Sequence, residues 1–307
     1  MHDCIIQQLP IPDELIGPLK ECRAGLDEEA ELRRCLHDDG YVFLRGVLKT
    51  DDVLAARAEV FGRLQDVGEI KPPAIEGIAT GLSRRRETAE DLGTFWRSVN
   101  EGPALRHVSH GPRLREIMEV LIGEPARPHD LMYLRPTPVG RSTRLHYDFP
   151  FFAGSSERID TAWIPLGDVP VTEGPLVIVE GSNRFSDLIE PIRQVDYTAD
   201  RTNDVVQKTA YERQNATDPL TLVRDRGTRL LTADFRAGDL VVFSGFTMHG
   251  SLDNQSRLGR VRLSVDVRYQ PAADPADDER YFGPNPTGSQ GGGYADMKGA
   301  KPLTEPW

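Results

Sequence analysis

The sequence predicts a mainly β domain: a jelly-roll or double-stranded β-helix core with helices packed outside it. Three observations carry this prediction. Short apolar segments recur between Gly, Pro and Asp turns through the middle of the chain, one segment at 261–269 alternates strictly, and amphipathic, charge-bearing segments gather in the N-terminal third.

In chain order, helices are expected at 13–37, 51–66 and 112–122, with Gly40 as a stop. The polar stretch at 70–95 has no clear period. Strands are expected at 41–47, 130–135, 143–149, 160–166, 175–179, 229–233, 240–244 and 261–269. Gly238-Asp239 reads as the turn that launches the buried run Leu240 to Phe243. The segment 186–228 is polar, charged and long for an internal connection. It is expected to fold in part, either as a lid over the barrel mouth or as a surface insertion with no catalytic part. From Pro271 onward the chain is rich in Pro, Gly and Asp, giving either a disordered tail or a wrap across the barrel.

At 307 residues the chain could hold one large or two ordinary domains. No Ser/Gly linker, composition break or internal repeat divides it, so 1–307 is expected to be a single domain. Residues 1–125 would form helical support, 126–270 the core with its insertion, and 271–307 the tail. The net charge of −11 and the lack of an extended basic run argue against nucleic acid or an anionic membrane surface as the main partner; a small-molecule substrate is the expected partner. Arg84-Arg85-Arg86, flanked by Glu87 and Glu90, reads as a solvated loop. Cys4, Cys22 and Cys35 are odd in number and show no zinc-like spacing, so reduced thiols are expected. With no apolar run suited to a signal peptide or membrane span, a cytoplasmic location is expected; oligomeric state is open.

The chemistry lies in LHYDFPFF at 145–152, TMHGS at 247–251 and RVRLSVDVRY at 260–269. On a strand, alternate side chains share a face, so His146 and Asp148 can grip one metal together. His249, emerging at the end of the Leu240–Phe243 strand, would complete a two-histidine, one-carboxylate triad that leaves three coordination positions open. His37 and Asp39 have the same spacing but follow a helical pattern, on which residues two apart diverge. The polar face of 261–269 offers Arg262 followed by Ser264, a planar cation with a hydroxyl beside it, suited to one carboxylate. Arg260 shares that face and is the competing choice. The set suits iron(II) with a 2-oxo-acid co-substrate and O2. The polar face of a surface strand would show the same alternation. Arg135, Arg141 and Arg144 precede the ligand segment and could receive a substrate carboxylate or phosphate, or could be solvated rim residues. His107, His110 and His129 have no ligand spacing and read as structural or surface residues.

With these motifs the chain resembles the phytanoyl-CoA dioxygenase-like iron(II)/2-oxoglutarate oxygenases. The likeness spans most of the chain and includes LHDDGYVFLRGVLKTDDV and WIPLGDVPVTEGPLVIVEGSNRF. It implies His146, Asp148 and His249 as iron ligands and Arg262 with Ser264 as the 2-oxoglutarate clamp. It also implies Trp163 near the co-substrate and Ser251 as the hydroxyl after the distal histidine. The chain departs from the family pattern at Leu145, Tyr147, Glu173 and Glu180-Gly181-Ser182-Asn183, so the family's named substrate does not transfer. Tyr147, Phe149, Phe151 and Arg144 are expected to shape the substrate pocket. The expected reaction is hydroxylation of an unactivated C–H bond with formation of succinate and CO2. Desaturation, cyclisation or epimerisation with the same cofactor set is the alternative, as is a non-catalytic cupin-like metal- or ligand-binding protein.

Overall fold

Strand alternation sorts the apolar residues into three layers. The computed structural model describes residues 4–152, 156–193 and 218–306. Its strands are β1 (Ile5–Ile6), β2 (Leu9–Pro10), β3 (Ile16–Pro18), β4 (Tyr41–Leu44), β5 (Ala126–Pro128), β6 (Tyr133–Thr137), β7 (Asp160–Pro165), β8 (Leu176–Val179), β9 (Leu230–Thr232), β10 (Leu240–Ser244), β11 (His249–Ser251) and β12 (Arg262–Pro271). One sheet runs β4-β10-β7-β12-β5, with β6 also paired to β12, and a second runs β11-β8-β9-β3. Two sheets with helices outside them give the expected jelly-roll class.

The alternation explains the packing. In β10, Leu240 and Val242 face the helices, whereas Val241 and Phe243 face the second sheet. Likewise Ala162 and Ile164 of β7 point outward and Trp163 inward. From the second sheet, Leu176 and Ile178 meet that inner layer, and Val177 and Val179 turn to a third layer with Leu230 and Ile16. All ten residues of β12 are buried: its odd positions pack on the helices, while Arg262, Ser264, Asp266, Arg268 and Gln270 point the other way. This polar face is therefore interior, not the solvated face of a surface strand.

The helices cover the outer side of the larger sheet. Glu29–Asp39 buries Leu32, Cys35 and Leu36 at helical spacing, and Thr50–Asp66 buries Val53, Ala56, Val60, Phe61 and Leu64. The first helix ends at Gly40, whose φ of +77° suits glycine; a Cβ there would lie 2.8 Å from the Thr247 hydroxyl oxygen. The helix Pro112–Ile122 falls where expected.

Several expectations need correction. The α-helix expected from residue 13 begins only at Glu29: Asp13–Leu15 is a single 3-10 turn, and Ile16–Pro18 is β3, which pairs in parallel with β9. Pro18 lacks the amide a helix would need and disfavours helical backbone at Gly17. The stretch from 70 onward contains helices Arg85–Thr88 and Leu92–Asn100, followed by Pro103–His110. Arg85 is fully buried rather than solvated: its Nη2 donates to Glu69 Oε2 at 2.5 Å, and its Nη1 donates to the carbonyls of Gly299, Ala300 and Lys301. The C-terminal segment is thereby a wrap, tied down by Arg85 and packed through buried Tyr281, Tyr294, Met297 and Ala300.

The segment 143–149 is not a continuous strand. Only His146 and His249 form a bridge, exchanging both backbone hydrogen bonds at 2.9 and 3.0 Å. Phe149–Phe152 is a helical turn, and Pro150 within it has no N–H to continue a ladder. Gly250 admits the close approach of the two chains, since a Cβ there would lie 2.7 Å from the Thr143 carbonyl oxygen. Of the expected lid, helices Ser186–Arg193 and Pro219–Asp225 pack into the third layer through Ile189, Ile192, Leu220 and Val223. Residues 194–217 of that expectation lie outside the described residues.

Candidate metal and co-substrate site

The bridge between His146 and His249 brings two histidines from distant parts of the chain side by side, with ring centroids 4.4 Å apart. Asp148, two residues on, returns to the same face. Its Oδ1 lies 3.5 Å from His146 Nε2 and 3.9 Å from His249 Nε2. One ligand atom from each of the three residues lies within 4.8 Å of the others, and among the described residues this is the group with the geometry to hold a metal ion.

The hydrogen bonds around the triad decide which atoms are free to bind. His146 Nδ1 donates to the Arg144 carbonyl at 2.8 Å, and His249 Nδ1 donates to the Thr247 carbonyl at 3.0 Å. A carbonyl only accepts, so each proton sits on Nδ1 and each Nε2 keeps its lone pair toward Asp148. Burial pushes the His249 imidazole down to about 3, so it stays neutral, as a ligand must.

Burial alone would raise the Asp148 carboxyl, but Arg268, with His249 and His146, holds it well below the usual carboxylate range. Arg268 Nη2 donates to Oδ1 at 2.8 Å and Oδ2 at 2.7 Å, and its Nε donates to Oδ2 at 3.2 Å. Thr161 Oγ1 donates to Oδ2 at 2.7 Å. Oδ2 is therefore the anchored oxygen, and Oδ1 faces the imidazoles. Two nitrogen lone pairs and one carboxylate oxygen, each oriented by an outer hydrogen bond, fit a six-coordinate iron(II) ion with three positions left for exogenous ligands.

Further along the inner face of β12, Arg262 is 2% exposed. Its Nη1 donates to Ser264 Oγ at 2.5 Å and its Nε to the Gly174 carbonyl at 3.1 Å. No carboxylate pairs with it among the described residues, and burial pushes it down to about 10. A buried cation without a counter-ion is costly, so this one is suited to an incoming carboxylate. Arg260, the competing choice, is already engaged by Glu173 and Glu76 near the surface.

The other anticipated residues fall as follows. Ser251 Oγ accepts from the Thr143 amide at 2.8 Å, which holds the 143–149 segment against β11. Trp163 packs in the inter-sheet core, its ring 4.7 Å from that of Phe235. Tyr147 points away from the triad, into the third layer, where its hydroxyl donates to the Ser182 carbonyl. Phe149 stacks on Phe246. Neither Tyr147 nor Phe149 lines the pocket beside the triad, contrary to expectation: the positions on either side of Asp148 turn away from it.

That pocket, of about 320 Å³, is bounded by His146, Asp148 and Arg268 on one side and by Leu145, Phe151 and Phe152 on another. Arg135 and Arg144 border it, and the C-terminal segment closes it with Met297, Lys298 and Gly299. Sequence reasoning missed Arg268, Thr161 and Lys298. The parity of β12 places Arg268 on the same face as Arg262, which was the signal for it. His129 is structural, as expected, buried against Phe152, Tyr281 and Phe282. His37, exposed on its helix, takes no part.

Known proteins resemble this chain over most of its length. The 1-deoxypentalenic acid 11-beta-hydroxylases of Streptomyces arenae and Streptomyces exfoliatus are each 25% identical to it, over 280 and 275 residues, covering 82% of this chain and 85% of each relative. Among solved structures, the non-heme alpha ketoglutarate dependent carbocyclase SnoK from nogalamycin biosynthesis superposes with a TM-score of 0.52 at 23% identity, covering 84% of this chain and 88% of that one. The epimerase SnoN, solved in complex with Fe3+, alpha ketoglutarate and nogalamycin RO, gives 0.51 at 23% identity over 81% and 86%. At that identity these structures speak for the fold. The profile of the phytanoyl-CoA dioxygenase (PhyH) family matches residues 36–261, and the chain belongs to that family of iron(II)- and 2-oxoglutarate-dependent oxygenases.

Proposed function

We propose that the protein hydroxylates an unactivated C–H bond of a small molecule, with His146, Asp148 and His249 as iron ligands and Arg262 with Ser264 as the clamp for the distal carboxylate of 2-oxoglutarate. The observation that carries this reading is the convergence of two Nε2 lone pairs and Asp148 Oδ1, each fixed by a hydrogen bond on its far side. The curated relatives named as hydroxylases support the reaction type. Bound at these residues, iron(II) with 2-oxoglutarate and O2 supplies the oxidising power that inserts one oxygen atom into the substrate C–H bond, the co-substrate leaving as succinate and CO2.

The chain's own contribution is placement and exclusion. Arg268 and Thr161 keep Asp148 ionised and turned, so its Oδ1 stays available beside the histidines. Phe151, Leu145 and Met297 wall the pocket next to His146, which orients a substrate and keeps bulk water from the reacting position. Residues 1–307 would act as one catalytic unit, with the N-terminal helices supporting the larger sheet and the C-terminal wrap closing the pocket. The buried thiols of Cys22 and Cys35, which meet without forming a disulfide, support a reducing, cytoplasmic location. No helix of the described residues is long and apolar enough to cross a membrane.

The test is product analysis under isotopically labelled oxygen with a small-molecule panel. Hydroxylation predicts substrate-dependent succinate and one labelled oxygen atom in the product. Succinate with an unlabelled, rearranged or desaturated product would move the assignment to cyclisation, epimerisation or desaturation. No succinate with any substrate, in protein with iron bound, would favour a binding protein.

A further inference from the structure

The pocket beside the triad has an uneven distribution of charge. Its inner end holds two cations that are already paired: Arg268 with Asp148, and Arg135, whose Nε donates to Asp266 Oδ2 at 2.5 Å. Its outer end holds Arg144 and Lys298. The Arg144 and Arg141 side chains make no hydrogen bond or ion pair among the described residues. Lys298 is pushed down to about 8, chiefly by burial and then by the neighbouring Arg135, Arg144, Arg141 and Lys301. Like charges gathered at a pocket mouth repel one another and are relieved when an anion enters between them. Among the lining residues the one further carboxylate is Asp296, which caps the Gly292 amide.

Both outer cations are held on firm supports. The Arg144 carbonyl accepts the His146 Nδ1 proton, so Arg144 is fixed relative to a metal ligand and shares its parity. Lys298 sits between buried Met297 and Gly299; a Cβ at Gly299 would lie 2.1 Å from the Trp96 ring, and Arg85 binds the carbonyls on either side of Ala300 and its own. The same lining includes the apolar side chains of Leu145, Phe151, Phe152 and Met297. At about 320 Å³ it lies at the small end of ligand pockets, ~300–1,000 Å³.

We propose that Arg144 and Lys298 form a subsite for the carboxylate of the substrate, so that the enzyme acts on a small apolar carboxylic acid whose hydrocarbon body reaches toward His146. This rests on the oxygenase reading, and it assigns a substrate site distinct from that of 2-oxoglutarate. Arg262 does not line this pocket.

The experiment uses the anaerobic iron(II)–2-oxoglutarate protein and matched pairs of alicyclic carboxylic acids and their primary amides. Binding is read by calorimetry and by perturbation of the visible chelate band. Acids are expected to bind roughly 10–100-fold tighter than their amides. Arg144→Met and Lys298→Met are each expected to remove most of that preference while leaving 2-oxoglutarate affinity unchanged, and Lys298→Arg to retain it. Neither side chain belongs to the hydrophobic core, so the variants are expected to fold. Amides that bind as well as acids in the wild type, no binding by any acid, or a preference that survives both substitutions would each overturn the subsite. So would a loss of 2-oxoglutarate affinity in the two variants, which would assign the cations to the co-substrate. A missing chelate band in the wild type would count against the oxygenase reading instead, and calorimetry on the iron-free protein would still compare acids with amides.

Discussion

Arg268 and Asp148 form a buried ion pair in which one guanidinium nitrogen, Nη2, reaches both carboxylate oxygens, at 2.8 and 2.7 Å, and the Oδ1 of that carboxylate faces both histidines. Arg268 is thereby a positioning residue for the metal site: it acts through Asp148. Replacing it frees the carboxylate to rotate and lets burial raise its pKa. Arg268→Gln is expected to weaken iron(II) affinity by about 10–100-fold, the usual cost of losing a partner that orients a ligand. Arg268→Lys should recover part of the loss. Calorimetric titration with the metal, alongside circular dichroism to confirm folding, checks this; unchanged metal affinity would make Arg268 merely structural.

Arg262 predicts a different split. Its guanidinium pairs with no carboxylate among the described residues and bonds to Ser264 and Gly174 rather than to a metal ligand, so Arg262→Gln should leave iron(II) affinity near the wild-type value. The Kd for 2-oxoglutarate should rise by roughly 10–100-fold, the ~1.5–3 kcal/mol of a hydrogen bond to a charged group. Separate titrations of metal and co-substrate read the two effects independently.

The buried pair of Arg85 with Glu69 makes a prediction about stability. Arg85→Met leaves Glu69, 1% exposed, as an unpaired buried carboxylate and strips three C-terminal carbonyls of their donor. Breaking such a pair from one side costs ~3–5 kcal/mol. Urea unfolding should show a loss of that order, with faster proteolysis in the segment after Pro271. Adding Glu69→Met should restore part of the stability, because the stranded charge is gone.

Lys298 predicts how acid binding depends on pH. Only its ammonium form attracts a carboxylate, and its pKa is pushed down to about 8 by burial and by Arg135, Arg144, Arg141 and Lys301; Asp296 is the carboxylate that shares the pocket lining. Affinity for an apolar acid should therefore be level below about pH 8 and fall above it. In Lys298→Arg the fall should vanish, since arginine stays charged throughout. A profile that falls equally in both proteins would remove Lys298 from the explanation.

The sequence carried the fold class and the metal-binding triad because both rest on local periodicity. Alternation along 261–269 gave the right strand and the right parity, and the His-x-Asp spacing gave a shared face. Parity does not say which layer a face meets, so the polar side of β12 could equally have been solvated. Its burial depends on a second sheet assembled from β3, β8, β9 and β11. Tyr147 and Phe149 were assigned to the pocket although their parity opposes that of His146 and Asp148, and the structure turns both away. Arg85 and Lys298 were illegible for another reason. Arg85 meets the carbonyls of Gly299, Ala300 and Lys301, and Lys298 meets Arg135, Arg141 and Arg144, all more than 150 positions away in the chain, and no local pattern in a basic triplet or a glycine-rich tail encodes those meetings.

His146, Asp148 and His249 are expected to hold an iron that 2-oxoglutarate chelates. An anaerobic titration of the metal-free protein with iron(II) and then 2-oxoglutarate, following the visible charge-transfer band, tests it in wild type and Asp148→Ala. A band that saturates in wild type and is absent from a folded Asp148→Ala is the predicted result. No band in wild type with iron demonstrably bound, or an equal band in both proteins, would contradict it.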